Sequence, residues 1–143
     1  MRERPELART LARHVASFEG GSIPKRTLEL VALMVAWLNA CESCAQTHAE
    51  MARRLGVDGE TLEVLGDFGR SERFTLAERA ALSAAVCLTR EPRALPDTVR
   101  EQLERHYDAG EVVEIVAAIG LHNYLTRASN ALRAPTGETT PGR

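Results

Sequence analysis

The sequence has few aromatics, few cysteines and no excess of either charge. Phe, Tyr and Trp make up 4% of its 143 residues. They occur singly, as Phe18, Trp37, Phe68, Phe74, Tyr107 and Tyr124, so no platform for stacking the bases of a nucleic-acid strand is expected. A formal net charge of -2 with 27% charged residues argues against a polyphosphate partner and against wholesale disorder. Three cysteines cannot build the disulfide framework of a small secreted scaffold. The longest nearly apolar run, Leu28 to Leu38, is broken by Glu29 and falls far short of the roughly 20 residues that span a bilayer. The first ten residues, MRERPELART, are charged from the second position and hold no signal-like apolar stretch. These absences predict a cytoplasmic protein with no membrane and no nucleic-acid partner.

Helical punctuation is abundant. The 44% hydrophobic content suffices for the core of one domain. Period-2 alternation is missing, and β-branched residues never cluster as strands require. A first helix is expected from about Pro5 to Phe18, stopping at Gly20-Gly21. A second is expected from Pro24 to Leu38, with Pro24 at its first position. Asn39 and Glu42 resemble a capping box opening a third helix that ends near Gly56. Asp58 can cap a short helix through Leu65. Thr75 and Glu78 form a cleaner capping box for a helix that Pro92 ends. Asp97 starts another, and Asp108 to Glu111 opens the last, running to about Leu132. The expected fold is all-α: a compact single-domain bundle of about seven helices over residues 1–132, with a flexible tail at 133–143. Leu28–Leu38 and Val112–Leu121 are apolar nearly all round and need covering on every side, which points to a homo-oligomer.

The chemistry concentrates at the start of the third helix. Cys41, Cys44, His48, Met51 and Leu55 step by three and four, which puts both thiols and the imidazole on one stripe, expected to face inward. Unsatisfied amides and the helix dipole stabilise a thiolate in the first turns. The spacing permits a short-loop disulfide, and His48 stands within reach of the Cys44 proton. If the second and third helices fold back about residues 39–40, Glu29 lies roughly 15 Å before the turn and His48 about 13 Å beyond it. The two side chains then stand level, and a Glu29–His48 hydrogen bond would set the tautomer of the imidazole.

Glu29-x11-Cys41-x2-Cys44-x3-His48 resembles the active-site motif of the alkylhydroperoxidase AhpD-like proteins of the carboxymuconolactone decarboxylase superfamily. The flanking RTLELVALMVAWLNACESCAQTHAEMARRLGV, FTLAERAALSAAVCLTREP and IVAAIGLHNYLTRASNAL resemble it too. The resemblance implies a helical fold assembled as trimers or hexamers and a thiol peroxidase or disulfide oxidoreductase without metal or organic cofactor. It implies Cys44 as the sulfur that attacks a hydroperoxide and Cys41 as proton donor and disulfide partner. His48 and Glu29 would form the proton relay, and a lipoyl-bearing or thioredoxin-like dithiol protein would be the reductant. Glu42-Ser43 stands where several relatives carry an aromatic residue or histidine before the second cysteine. This departure predicts weak peroxidase activity, or a different oxidant or disulfide substrate.

Plainer readings stand beside these. The cysteines could be two small buried side chains. They could also hold zinc with His48, in a non-catalytic helical module lacking an evident fourth ligand. Decarboxylase-like chemistry on a small acid is the alternative within the superfamily. Cys87 is expected to be a core residue, Glu78 a cap, His14, His106 and the paired Arg53-Arg54 solvated. His122 is expected in core or interface packing, with a pocket as the alternative, and Arg127 has no role assigned.

Overall fold

A computed structural model describes residues 4–91 and 93–132. These residues form seven α-helices, with one short 3-10 turn at Leu65–Asp67 and no strand among them. The helices are α1 (Pro5–Ala16), α2 (Lys25–Leu38), α3 (Glu42–Arg54), α4 (Gly59–Glu63), α5 (Leu76–Arg90), α6 (Asp97–His106) and α7 (Ala109–Leu132). Pro92, assigned above to ending α5, and the tail from 133 lie outside the described residues. No described helix is long and apolar enough to cross a membrane.

The second helix is the hub, packing against α3, α5 and α7. Nine of its residues are buried, including Leu30, Val31, Met34 and Val35. Leu82 of α5, Leu103 of α6 and Ile115 and Ile119 of α7 close the core around them. With so few rings, this core relies on aliphatic side chains and on alanines at close approaches, such as Ala80, Ala81, Ala84 and Ala85. The apolar run predicted to be covered all round is covered except at Trp37, which is 57% exposed. The matching half of α7 is less covered: Val113 and Val116 face outward. The first helix buries no residue.

Most predicted caps form. The Asp58 carboxylate accepts from the Thr61 amide at 2.7 Å. Thr75 and Glu78 close a full capping box, and Glu78, itself buried, also takes the Arg26 guanidinium at 2.7 Å. Asp108 and Glu111 exchange backbone-to-carboxylate bonds at 2.9 Å in both directions. Two positions differ. Pro24 is the N-cap of α2 rather than its first residue, which uses its lack of an N–H equally well. The Asn39–Glu42 box does not form: Asn39 is the C-cap of α2, and Cys41 is the N-cap of α3.

Two turns aim the helices. At Gly21, a Cβ would sit inside the Glu114 carboxylate, which instead accepts the Ser22 amide at 2.9 Å. This bond ties the start of α2 to α7. At the far end of α3, Gly56 has φ +87. Its amide and that of Val57 return to Arg53 and Ala52, the 5→2 and 6→1 bonds of a Schellman stop.

Candidate active site

The junction between α2 and α3 is a second Schellman turn. The amides of Ala40 and Cys41 bond to the carbonyls of Trp37 at 3.0 Å and Ala36 at 2.9 Å. Ala40 occupies the left-handed position with φ 52, where glycine is usual and an L-residue is strained. A partly buried polar cluster holds this turn. Asn39 donates to the Asn123 side-chain oxygen Oδ1 and to the Thr126 hydroxyl, both at 2.9 Å. Asn123 donates to the Thr89 hydroxyl at 3.0 Å, and Asn130 donates to the Asn39 backbone oxygen at 2.7 Å. Arg127 reaches the Thr89 carbonyl at 3.2 Å. Helices α5 and α7 thus grip the loop that carries Cys41.

Cys41 is fully buried, Cys44 is partly exposed, and the two are joined by a disulfide across Cα atoms 5.3 Å apart. The first amides of α3 have no intrahelical acceptor, so they point their positive ends at the region of both sulfurs. The Ser43 hydroxyl lies 3.9 Å from Cys41 Sγ. Glu42 is exposed and makes no capping bond, so its charge is not spent on the helix terminus.

Glu29 and His48 meet as the helix geometry requires: Glu29 Oε2 lies 2.8 Å from His48 Nδ1, with both side chains 16% exposed. The carboxylate fixes a proton on Nδ1 and leaves Nε2 as the basic nitrogen. The remainder of the predicted inward stripe does not hold. Met51 and Leu55 are 41% and 43% exposed, because the buried edge of α3 runs through Cys41, Ala45, Ala49 and Ala52. The stripe starts in the core at Cys41, runs along a flank through Cys44 and His48, and surfaces at Met51.

That flank opens into a chamber of about 380 Å³ under α1, walled by α2, α3 and α7. Glu29, His48 and His122 form its polar side, and residues such as Phe18, Leu28 and Leu121 its apolar walls. Neither cysteine is among its lining residues. His122 meets His48 edge-on, with ring centroids 4.8 Å apart and planes at 90°. Burial and the adjacent His48 push its pKa down to about 4, against a smaller opposing pull from Glu29. His122 Nδ1 is buried and finds no hydrogen-bond partner among the described residues.

The other candidates lie elsewhere. Cys87 is a free thiol, half-buried beside Trp37 and Arg90 in a separate groove rather than in the core. His106 is exposed, and His14, also exposed, stacks on Phe18 at 5.7 Å. Among the described residues, no three His, Cys, Asp or Glu side chains are arranged to hold a metal ion. Sequence reasoning missed the Asn39–Asn123–Thr126–Thr89 cluster. Its one available signal was the set of hydrogen-bonding side chains Asn123, Thr126 and Asn130, three and four apart along one stripe of α7.

Fold and site together define a helical thiol protein, with a disulfide at a helix start and a carboxylate–imidazole pair one turn further along. The chain belongs to the carboxymuconolactone decarboxylase family, which it matches over residues 5–87. It is 34% identical over 107 residues to the uncharacterized protein YnjA of Escherichia coli K12, covering 74% of this chain and 58% of that protein. Among solved structures, ATU0492 of Agrobacterium tumefaciens superposes with a TM-score of 0.86 at 24% identity, covering 93% of this chain and 92% of that one. ATU0492 is a protein of unknown function linked by name to AhpD antioxidant defence. The debrominase Bmp8 superposes at 0.82 with 25% identity, over 92% of this chain and 71% of that one. A peroxidase-related protein from Silicibacter sp. TM1040 superposes at 0.78 with 21% identity, over 86% and 66%.

Proposed function

We propose that the protein is a thiol-based hydroperoxide reductase or disulfide oxidoreductase cycling between a Cys41–Cys44 dithiol and disulfide. One observation carries this reading. The partly exposed Cys44 is bonded to a buried Cys41 at the start of α3, and the Glu29–His48 pair at 2.8 Å lies one turn beyond. In the reduced protein, His48 takes the Cys44 proton, and the thiolate attacks the outer oxygen of a hydroperoxide. The O–O bond breaks, the alcohol leaves with the proton returned by His48, and Cys44 becomes a sulfenic acid. The Cys41 thiol then displaces the hydroxyl as water and closes the disulfide. An external dithiol, on a lipoyl-bearing or thioredoxin-like protein of the cytoplasm, restores both thiols by exchange at the partly exposed Cys44.

Burial supports this order of the two roles. Cys44 is the sulfur an incoming reactant meets, and Cys41 is the sulfur held ready behind it. We further propose a homo-oligomer, trimeric or hexameric. Its interface would draw on apolar side chains that α1 and α7 leave exposed, among them Leu7, Val15, Val113, Val116 and Tyr124.

The test is a single turnover. Reduced protein mixed with less than one equivalent of cumene hydroperoxide is expected to form one Cys41–Cys44 disulfide and one alcohol per peroxide consumed. Thiols that survive excess peroxide for minutes would refute the hydroperoxide-reductase reading, and thiols that also fail to exchange with a small disulfide would refute the oxidoreductase one. A second reading, decarboxylase-like acid–base chemistry on a small acid, is favoured by the absence of both sulfurs from the chamber lining. It predicts that a variant with both cysteines replaced by serine keeps full turnover.

A further inference from the structure

The turn between α2 and α3 is held from two directions. Locally, its Schellman bonds satisfy the Trp37 and Ala36 carbonyls through the amides of Ala40 and Cys41. From outside, α7 grips Asn39. Both hydrogens of the Asn39 side-chain amide are spent, one on Asn123 Oδ1 and one on the Thr126 hydroxyl, each at 2.9 Å. Its backbone carbonyl accepts from Asn130 at 2.7 Å, and its backbone amide donates to the Val35 carbonyl at 3.0 Å. Thr126 is 1% exposed, so the anchor sits in the core. Ending a helix needs only the local bonds. The contacts to α7 do something further: they fix where the turn stands relative to the rest of the bundle.

Two residues beyond Asn39 is Cys41, fully buried. Ala40, between them, has φ 52. Glycine there would let the turn flex, whereas alanine narrows its freedom at the cost of strain. Clamp, strained alanine and buried cysteine are consecutive, so a shift of Asn39 passes to Cys41 through rigid peptide planes. Cys41 must stay within reach of Cys44 for the disulfide to close, and the time this takes decides the fate of a Cys44 sulfenic acid. In one course the Cys41 thiol attacks it, forming the S–S bond and releasing water. In the other, a second hydroperoxide oxidises the sulfenic acid to a sulfinic acid and leaves as its alcohol.

We propose that Asn39 is a positioning residue: locked by Asn123, Thr126 and Asn130, it holds Cys41 at attacking distance from Cys44 and so favours the disulfide over overoxidation. This rests on the thiol reading but not on peroxide as the oxidant, because the same preorganisation raises the effective concentration of one thiol at the other.

The experiment measures the dithiol–disulfide equilibrium of the full-length protein against glutathione, for the wild type, Asn39→Ala, Asn130→Ala and Glu78→Ala. The last is a control that loses its contacts at the opposite end of α5 from Thr89 and leaves the clamp intact. Asn39→Ala should shift the equilibrium about tenfold toward the dithiol, a rise of about 30 mV in reduction potential. Asn130→Ala, at an exposed position, should shift it about threefold, and Glu78→Ala should not shift it. Under excess cumene hydroperoxide, the sulfinic share of oxidised Cys44 should rise about fivefold in Asn39→Ala. A shift toward the disulfide, no shift in either asparagine variant, or an equal shift in Glu78→Ala would overturn the proposal. Should Asn39→Ala not fold, Asn130→Ala decides alone. If the equilibria move as stated while no peroxide oxidises the thiols, the positioning role stands and the peroxidase reading falls.

Discussion

Acidification should destabilise this fold through His122 in particular. In the folded protein, burial first and the neighbouring His48 second hold its pKa at about 4, against an ordinary value of 6.5. The folded pKa is the lower one, so the unfolded chain takes up a proton first as pH falls. Stability is therefore fully present above pH 6.5, drains away between 6.5 and 4, and levels off below the folded value. The gap corresponds to about 3 kcal/mol, a large share of the roughly 5–15 kcal/mol that holds a domain of this size. Glu29 pulls the other way but is already engaged by His48. The assay is urea unfolding of the disulfide-bonded protein at half-unit intervals from pH 7.5 to 4.5, beside His122→Leu. The wild type minus variant difference should fall by about 2–3 kcal/mol across that window, since other carboxylates and histidines titrate in both proteins. Near pH 7 the variant should equal or exceed the wild type, having removed a stranded nitrogen. Parallel curves for the two proteins would refute the reasoning, as would a wild type that gains stability on acidification.

Three further outcomes follow from the same contacts. Glu29→Gln keeps a hydrogen-bonding group beside His48 but removes its charge, so oxidation of the reduced thiols by peroxide at pH 7 should slow by about 10–100-fold, read by stopped-flow thiol loss. Asn123→Ala strips partners from Asn39 and Thr89 inside a partly buried network and should cost about 1–2 kcal/mol in urea unfolding. It should also slow disulfide closure, because the turn carrying Cys41 loses a support. Glu78→Ala removes both a capping box and the Arg26 ion pair and should lower stability by about 2 kcal/mol while leaving thiol reactivity unchanged.

The helices were legible because their caps are local chemistry. Asp58, Thr75 and Asp108 each bond to amides within three residues, so a short stretch of sequence contains the whole device. Glu29 and His48 were legible by counting rise per residue on both sides of one turn. The turn itself was misread. Asn39 followed by Glu42 has the form of a capping box, yet the Asn39 side chain is drawn to Asn123 and Thr126, more than 80 residues away. No local pattern encodes a partner at that distance. The face of α3 was misjudged for a related reason. A step of three and four defines a stripe but not its rotation, and Ala45, Ala49 and Ala52 let α2 approach on the adjacent stripe, which turns Met51 and Leu55 outward. His122 reads as core or interface packing, with a pocket as the alternative, because it directly follows the apolar half of α7. What favours the pocket is its contact with His48, 74 residues earlier in the chain.

The most direct test of the account is to find which sulfur reacts first. Reduced Cys41→Ser protein, pulsed with cumene hydroperoxide in the presence of a sulfenic-acid trap and digested for mass spectrometry, should carry the adduct on Cys44. The unmodified protein should instead yield the Cys41–Cys44 disulfide. An adduct found mainly on Cys87, or none on Cys44 while peroxide is consumed, would contradict it.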